Sequence, residues 1–418
     1  MRAHYREVQL AYNVPVDVNV HTAEESHKRK VVEAFTKLLS SGDIYEGLHQ
    51  GYFSPAEDAY YTKCQLQNGR SPQGFAVQPV AEKAFFFRLS KYRDALRQIM
   101  GKEGFLLPDK RRNEALALLS SDLPDIAVTR SNTEWGVPVN VPGFEGHTVY
   151  VWLDALLGYA TNYPQKGLYT NTIMVFGKDI LRFIALVWPA LLIAFGLPLP
   201  QQLICHGWLM HNDAKISKSK GEKVLALPPV GAPDVARFVL MNLGAFGEDI
   251  QFDRDRVENL VEVVRDKYAN LTHRLTGLLN KRNVEQLGPG GQVPPDLFVE
   301  QVVGRWRTLE LTMRQYRIDK YGDEVSRVAA DINSYITQNR LWEIQDEKEL
   351  KRHGLVLCQS LLALTIYVYP IMPTLAQLNL ERLQPDIDGV PVGIGTASDI
   401  LQNLGRVAFK PQHMGALM

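Results

Sequence analysis

The segment Asn171 to Lys220, NTIMVFGKDILRFIALVWPALLIAFGLPLPQQLICHGWLMHNDAKISKSK, decides the fold class of this chain. It begins with a β-rich run that ends at Gly177, continues with apolar residues at helical spacing, and reaches a second apolar run, Leu203 to Met210. Strand, glycine, helix and strand in this order predict a parallel α/β unit. We expect Asp179 to cap the helix and Pro189 to kink or end its first straight part.

A loop rich in lysine and serine, Lys215-Ile216-Ser217-Lys218-Ser219-Lys220-Gly221, follows the second predicted strand. Two lysines three residues apart suit a flexible loop that presents ammonium groups to phosphate, because lysine binds phosphate as a mobile point charge. Taken alone, such a loop is more often a solvated turn. The motifs that precede it favour phosphate binding.

Three motifs stand upstream of this loop in a fixed order. They are Val149-Tyr150-Val151-Trp152-Leu153-Asp154-Ala155, then Phe176-Gly177-Lys178-Asp179-Ile180-Leu181-Arg182-Phe183, then His206-Gly207-Trp208. With the lysine loop, they make the chain resemble the methionyl-tRNA synthetases, a family of class I aminoacyl-tRNA synthetases. The resemblance runs from about Val18 to Thr374. It implies an α/β fold, the second half of a Rossmann-type nucleotide-binding domain with a connective insertion, followed by an all-α anticodon-binding helical bundle.

The resemblance and the local sequence patterns together predict four parts. Residues 1–147 form the connective region and a zinc-free insertion, 148–254 the second half of the catalytic domain, 255–376 the helical bundle and 377–418 a C-terminal tail. Helical periodicity supports the bundle. The segments with this periodicity are Val235 to Leu243, Val257 to Lys281, Trp306 to Arg317, Gly322 to Asn339 and Glu349 to Tyr369. We expect short strands and loops from Gly47 to Phe75 and less regular structure after Pro373.

Nucleotide binding is the first role that the resemblance assigns to individual residues. Members of the family join an amino acid and ATP into an aminoacyl-adenylate and then transfer the aminoacyl group to tRNA. The resemblance implies catalytic roles for Lys215 and Lys218, with Lys218 at the leaving pyrophosphate. The implied ATP-binding residues are Lys215, Ser217, Lys218, Ser219, His206, Gly207 and Asp179. A strand-end histidine at His206 and a helix cap at Asp179 are the plain structural alternatives.

The amino-acid pocket is implied by a second set of residues, Trp152, Asp154, Tyr159, Ile180 and Ile184. Contacts between sulfur and aromatic rings give a physical reason for aromatic walls around methionine. Ile184 stands where the family commonly has histidine, and it makes the predicted pocket wholly apolar. A related apolar amino acid is therefore an alternative substrate, since one methylene discriminates by only ~1–3 kcal/mol. Trp152 as an ordinary core residue is the structural alternative.

Recognition of the tRNA anticodon is implied at Asn270, Arg274 and Trp342. Asn270 and Arg274 are four residues apart, so that a helix places them on one face. Asparagine and arginine can hydrogen-bond base edges, and a tryptophan can stack on an unstacked base. Without the resemblance, Trp342 would be assigned to a core and the helix of Asn270 to a solvated face.

The sequence contains no His-x-Gly-His element, the early motif of class I synthetases, and its two His-Gly pairs, His206-Gly207 and His353-Gly354, are followed by Trp208 and Leu355. We therefore expect the N-terminal half of the nucleotide-binding domain to be missing, and a separate chain to be a possible source of it. Without that half, the remaining sheet would have an uncovered edge. The alternatives are a catalytically incomplete or inactive paralog that binds tRNA or a partner chain, and, more remotely, an aminoacyl-transferring paralog in small-molecule biosynthesis.

Composition limits the remaining possibilities. The 418 residues carry 46 basic and 46 acidic side chains, so a nucleic-acid partner requires a local basic face. The three cysteines, Cys64, Cys205 and Cys358, form no Cys-x-x-Cys pair, so that no zinc site or disulfide framework is predicted. The resemblance implies methionine, ATP with Mg²⁺ and tRNA(Met) as ligands, and we expect no membrane partner. The expected compartment is the cytoplasm, with the mitochondrial matrix as the alternative.

Overall fold

The computed structural model describes residues 2–57, 59–61, 63, 66–121, 123–131, 135–161, 171–211, 214–216, 233–288, 296–386, 401 and 407–411. The chain divides into two compact units. The first, Asp17–His206, contains most of the strands and is called the α/β unit. The second combines Met1–Val16 with Gly207–Met418 and is called the helical unit.

The helices and strands have the following bounds. The α-helices are α1 (Arg2–Ala11), α2 (Glu25–Ser40), α3 (Arg93–Gly101), α4 (Asp109–Ser120), α5 (Val151–Thr161), α6 (Trp188–Phe195), α7 (Pro233–Asn242), α8 (Arg254–Val263), α9 (Asn270–Lys281), α10 (Leu297–Gly304), α11 (Trp306–Arg314), α12 (Ile318–Gln338), α13 (Glu347–Val368) and α14 (Pro373–Leu383). The strands are β1 (Ile44–Ser54), β2 (Ala59–Tyr61), β3 (Gln78–Phe87), β4 (Leu106–Leu107), β5 (Ile126–Ala127), β6 (Thr129–Arg130), β7 (Thr148–Val149), β8 (Ile173–Gly177), β9 (Gln202–His206), β10 (Leu209–His211), β11 (Ala214–Lys215), β12 (Ile250–Gln251), β13 (Pro385–Asp386) and β14 (Ala408–Phe409).

A parallel three-stranded sheet in the order β4-β9-β8 lies within the α/β unit. The chain leaves β8 through a 3-10 turn, a π-helical turn and α6, and returns as β9, which is the predicted parallel crossover. Phe176 on β8 and Leu203 on β9 are buried in the same core as Trp188 on α6. The predicted fold class, an α/β unit followed by helices, is confirmed.

The helix of this crossover begins differently from the prediction. Gly177 is the N-cap residue of the 3-10 turn Lys178–Ile180 and Arg182 that of the π-helical turn after it, so the prediction that Asp179 caps the helix is wrong. The helix is wound as a π turn over Phe183–Val187, and α6 then starts at Trp188 with Pro189 in its first turn. Proline is tolerated there because the first amides of a helix lack intrahelical acceptors.

An antiparallel sheet, β2-β1-β3-β5, forms the connective part of the α/β unit. The prediction of short strands is wrong for β1, which pairs continuously with β3 from Ile44↔Phe87 to Phe53↔Gln78, whereas the three-residue β2 and the described turns after it agree with the prediction. Phe85 and Phe87 point from this ladder into the core. Cross-strand pairing overrides the low strand preference of glycine at Gly47 and Gly51, and sequence patterns reveal such pairing poorly.

The helical unit confirms the predicted bundle. Leu271, Leu275 and Leu279 repeat every four residues along α9, are at most 2 % exposed, and share a core with α13. The predicted helix from Val257 to Lys281 is divided into α8, a π-helical turn over Val264–Ala269, and α9.

Two features of the helical unit differ from or add to the predictions. The chain forms α14 over Pro373–Leu383, so the expectation of less regular structure after Pro373 is wrong for this stretch, and the predicted boundary at residue 376 falls inside the helix. Pro373 starts the helix instead of ending one, since proline suits the first helical turn. Helix α10 had no counterpart in the sequence analysis. Among the described residues, no helix combines the length and apolar character needed to cross a membrane.

Candidate active site

The carboxyl ends of β8 and β9 bring three of the singled-out residues together. Gly177 and His206 are partners in the parallel ladder. A methyl group placed on Gly177 would lie 2.7 Å from Oδ1 of Asp179 and 3.4 Å from Cε1 of His206. Asp179 and His206 are both exposed. This edge is where open parallel sheets bind their ligands, and the structure therefore places a carboxylate and an imidazole on either side of one small residue there.

Helix α5 and the π-helical turn bring aromatic residues of the α/β unit together. The indole of Trp152 stacks on the ring of Phe183 with centroids 4.3 Å apart and planes 10° apart. Tyr159, seven residues after Trp152, meets Trp188 edge to face at 6.4 Å. Tyr159 is 40 % exposed, so one side of this aromatic group remains accessible.

The two predicted isoleucines lie beside these rings in sequence and differ in burial. Ile184 follows Phe183 in the π-helical turn and is 2 % exposed, whereas Ile180 is half-buried. A π-helical turn is rare and occurs frequently at functional sites. Phe183 and Ile184 are the first two residues of this turn.

Asp154 lies on a different side of α5. Its carboxylate is buried, and its Oδ1 atom is 2.5 Å from Nε2 of His27 on α2. The predicted contact of Asp154 with the amino acid stays a prediction, because the contact seen in the described part of the structure joins its carboxylate to His27. Sequence reasoning missed His27, since a single histidine in an amphipathic helix carries no recognisable signal.

Lys215 lies on a short hairpin in the helical unit, close after Gly207. β10 pairs antiparallel with β11 and parallel with β12. The Nζ atom of Lys215 lies 4.7 Å from the ring centroid of Trp208, a cation–π contact. Gly207 precedes this hairpin, and a Cβ atom there would lie 2.1 Å from the carbonyl oxygen of Glu248, so only glycine fits. Ser217, Lys218 and Ser219 lie outside the described residues.

The predicted anticodon residues lie in the helical unit. Arg274 and Trp342 line one cavity of about 220 Å³. The other lining residues are apolar: Leu275, Leu278, Ile336 and Leu341. Asn270 and Arg274 are both exposed on α9, and Trp342 is 49 % exposed. The structure thus brings Arg274 and Trp342 together, with Asn270 one helical turn before Arg274.

Comparison with known proteins decides the family. A family model described as tRNA synthetases class I (M) matches residues 65–276. The methionine–tRNA ligase of Rickettsia prowazekii is 31 % identical over 398 residues, which cover 91 % of this chain and 78 % of that protein. The methionine–tRNA ligase of Thermotoga maritima is 33 % identical over 389 residues, which cover 88 % of this chain and 61 % of that protein.

This chain belongs to the methionyl-tRNA synthetase family. Its fold agrees with that assignment. The structure of Mycobacterium tuberculosis methionyl-tRNA synthetase in complex with methionyl-adenylate superposes with a TM-score of 0.85 at 24 % identity, over 98 % of this chain and 84 % of that one. The free form of the same enzyme gives a TM-score of 0.81 at 23 % identity.

Phe183 is a further member of the candidate methionyl-tRNA synthetase site that was not singled out from the sequence. The signal was present, since Phe183 ends the motif that starts at Phe176 and precedes Ile184. The stacking partner of Trp152 could not be identified from sequence, because the two rings come from separate helical segments.

Proposed function

We propose that this chain is a methionine–tRNA ligase, which activates methionine with ATP and transfers it to tRNA(Met) for protein synthesis. One observation carries the proposal beyond family membership. A polar edge suited to a nucleotide, Asp179 and His206, and an aromatic group suited to a thioether, Trp152 and Phe183, belong to the same α/β unit. Phe183 follows Asp179 by four residues on the same crossover.

The first half-reaction needs positioning and charge stabilisation and no protein nucleophile. A carboxylate oxygen of methionine attacks the α-phosphorus of ATP, the bond from that phosphorus to the bridging oxygen breaks, and pyrophosphate leaves with Mg²⁺. Enzymes accelerate such phosphoryl chemistry by in-line placement and by stabilising the developing charge. Lys215 and Lys218 stabilise the leaving pyrophosphate, Ser217 and Ser219 donate hydroxyl contacts, and Asp179 with His206 and Gly207 holds the nucleoside.

The second half-reaction forms the ester with tRNA. A hydroxyl of the terminal ribose attacks the methionyl carbonyl, AMP leaves, and the hydroxyl proton is released. The chemistry again depends on the orientation of the two reactants. The ligands of the whole cycle are thus methionine, ATP with Mg²⁺ and tRNA(Met). We assign the activity to the compartment where translation uses the product, the cytoplasm or, alternatively, the mitochondrial matrix.

In this proposal, methionine binds to residues of α5 and of the π-helical turn. Trp152 and Tyr159 present aromatic surface to the thioether, while Ile180 and Ile184 complete an apolar pocket. The contact between Trp152 and Phe183 supports this assignment, because it fixes the orientation of the indole. Asp154 belongs to the same site through its place on α5.

In this proposal, the tRNA anticodon binds to Asn270, Arg274 and Trp342. The cavity beneath Arg274 and Trp342 supports it, because an apolar recess beside a half-exposed indole suits a base that leaves its stack. Two nearby arginines already have partners. Arg265 pairs with Asp266 at 2.9 Å, and Arg282 donates to the carbonyl of Trp342 at 3.3 Å.

A second candidate function is a catalytically incomplete paralog or fragment that binds tRNA or a partner chain. The sheet edge at β8 favours it. Among the described residues, β8 pairs with β9 on one side and with no strand on the other. Its outward residues Ile173 and Val175 are 41 % and 62 % exposed, although parallel sheets are normally covered on both faces. A separate polypeptide that supplies the N-terminal half of the nucleotide-binding domain would suit this edge.

Methionine-dependent exchange of pyrophosphate into ATP tests the first function. We expect exchange by the purified chain, and a loss on the order of 10²–10³ in rate for Lys218→Ala, the scale for one transition-state charge contact. Lys220→Ala, in the same loop, is the matched control and should retain the rate. A folded chain that exchanges nothing alone, but gains activity when a polypeptide carrying His-x-Gly-His is added, would support the incomplete-chain alternative instead.

A further inference from the structure

His27 is the buried histidine of the α/β unit that the reaction scheme leaves without a role. It lies on α2 and is 1 % exposed. Its Nε2 atom contacts Oδ1 of Asp154 on α5 at 2.5 Å. Both residues lie among the apolar side chains that join these two helices, including Val31, Leu153 and Leu157. The contact is therefore a polar interaction inside a hydrophobic core, and it joins two residues that are far apart in the sequence.

A second contact places His27 against the same helix one turn later. A Cβ atom at Gly158 would lie 3.1 Å from Cε1 of His27, so a larger residue there would press on the imidazole. Asp154 and Gly158 are four residues apart and occupy one side of α5. His27 thus touches α5 at two successive turns, one contact polar and one steric, and together they constrain both the rotation and the axial position of this helix.

The side of α5 that faces His27 differs from the side that carries the aromatic residues, and the two are centred roughly 130° apart around the helix axis. Successive residues of an α-helix are rotated by about 100°. Asp154 follows Trp152 by two residues and Gly158 precedes Tyr159 by one, whereas Trp152 and Tyr159 are seven apart and nearly eclipsed. A rotation of α5 would therefore move Trp152 off Phe183 and Tyr159 off Trp188, with which their rings are in contact.

We propose that His27 is a positioning residue of the methionine pocket. It holds α5, through Asp154 and Gly158, in the rotation at which Trp152 and Tyr159 form the aromatic wall. The proposal rests on the proposed function for the identity of the ligand. It assigns Asp154 a role through the helix that it anchors, because its carboxylate is engaged with His27 on a different side of α5 from the rings.

A buried carboxylate explains why a histidine serves here better than an apolar residue. Burying a carboxylate without a hydrogen-bond donor is costly, so Asp154 requires a donor inside the core. The imidazole supplies an N–H at the correct reach and a flat ring that fits beside Gly158. Glutamine can place an amide N–H at a similar distance, whereas alanine cannot.

Pyrophosphate-exchange kinetics separate positioning from a merely structural role. We expect His27→Ala to raise the KM for methionine about tenfold or more and to leave the KM for ATP within twofold, with substantial rescue in His27→Gln. The matched control is His353→Ala, which removes another buried, hydrogen-bonded histidine from the helical unit. It should destabilise the fold without changing the ratio of the two KM values.

Near-ultraviolet circular dichroism of the tryptophans tests the same inference without activity. The difference spectrum of Trp152→Phe against the native chain identifies the signal of the Trp152–Phe183 stack. His27→Ala should lose that signal and His27→Gln should keep it. The proposal would be overturned if His27→Ala kept the signal, or if its methionine and ATP KM values rose together. A native chain that shows no exchange would instead contradict the proposed function, and the spectra would still decide the role of His27.

Discussion

Trp152 and Phe183 lie face to face, with ring centroids 4.3 Å apart and planes only 10° apart. One ring comes from the regular helix α5 and the other from the π-helical turn, so their contact joins the two segments that form the proposed methionine pocket. The stack fixes the orientation of the indole before any ligand binds. Such preorganisation lowers the entropy that binding must overcome.

Removing the stacking ring should weaken methionine binding. Phe183→Ala leaves the indole without its partner, and the loss of one aromatic contact corresponds to roughly a tenfold higher KM for methionine. Phe183→Tyr should retain the native KM because it keeps the ring. Trp135→Ala, at a 70 % exposed tryptophan of the same unit, is the control. An unchanged methionine KM in Phe183→Ala would show that the stack has no part in binding.

The apolar surroundings of Ile184 should make the enzyme weakly selective between methionine and norleucine. Ile184 is 2 % exposed and offers no polar group to distinguish sulfur from methylene. We expect the ratio of kcat/KM values for the two amino acids to lie within the roughly 10–200-fold range of hydrophobic pockets. Competition between them in pyrophosphate exchange measures this ratio. A preference for methionine far above that range would require a polar determinant elsewhere.

Anticodon binding should depend on Arg274 and Trp342. Trp342→Ala removes a stacking platform that is worth about 1–3 kcal/mol per base, so the Kd for tRNA(Met) should rise at least several-fold. Trp342→Phe should preserve most of the affinity. Arg274→Ala should weaken binding of the CAU anticodon more than that of a changed anticodon. Arg314→Ala, at an exposed arginine on α11 that pairs with Glu310, is the matched control and should bind normally.

Gly207 should tolerate no side chain. The Cβ atom of Gly207→Ala would lie 2.1 Å from the carbonyl oxygen of Glu248, and the backbone would have to move. We expect a loss of about 2–3 kcal/mol in the free energy of unfolding, as for other overpacked sites. Gly304→Ala, where the added methyl group meets nothing within 4 Å, is the control and should be neutral or stabilising. Equal thermal stability of the two variants would contradict the close approach at Gly207.

Acid should remove the contribution of Asp43 to stability. Burial raises the pKa of Asp43, but hydrogen bonds from Lys91, Ser41 and Tyr92 outweigh it and hold the pKa below its usual value. A carboxyl group with a lowered pKa stabilises the fold above its unfolded pKa, near 3.9, and loses that effect as the pH falls through the folded pKa.

The corresponding variant makes that dependence measurable. Asp43→Asn should be less stable than the native chain at pH 7, and the difference should shrink below about pH 4 as the native carboxyl is protonated. Asp109→Asn, at a mostly exposed carboxylate paired with Arg112, is the control and should have little effect at either pH. A stability difference for Asp43→Asn that persists unchanged into acid would contradict the assignment.

Local sequence patterns predicted those parts of the fold that depend on residues close together in the sequence. The crossover from β8 to β9 was predictable because apolar runs, Gly177 and helical spacing occur in order, and the bundle was predictable from its periodicity. The long pairing of β1 with β3 was not, because it depends on cross-strand contacts between residues distant in sequence. Helix α14 differs from the expected irregular structure after Pro373, because proline is compatible with a first helical turn and does not exclude a helix that begins with it.

The roles of the candidate site residues stay predictions. Motif order singled out Asp179, His206 and Trp152, and the structure adds that Asp179 and His206 flank Gly177. The contact between His27 and Asp154 could not be predicted from the sequence, because no local sequence pattern around either residue indicates the other as its partner. Sequence therefore supplied the residue types at the site, while the packing of α2, α5 and the π-helical turn supplied their arrangement.

Amino-acid-dependent pyrophosphate exchange, with each of the standard amino acids supplied in turn, tests the central claim most directly. The assay uses the chain alone and the chain with an added polypeptide that carries His-x-Gly-His. We predict that methionine supports exchange in at least one of these two settings and that Lys218→Ala abolishes it. Exchange supported by a different amino acid, or by none in either setting with a folded protein, would contradict the assignment of this chain as a methionine–tRNA ligase.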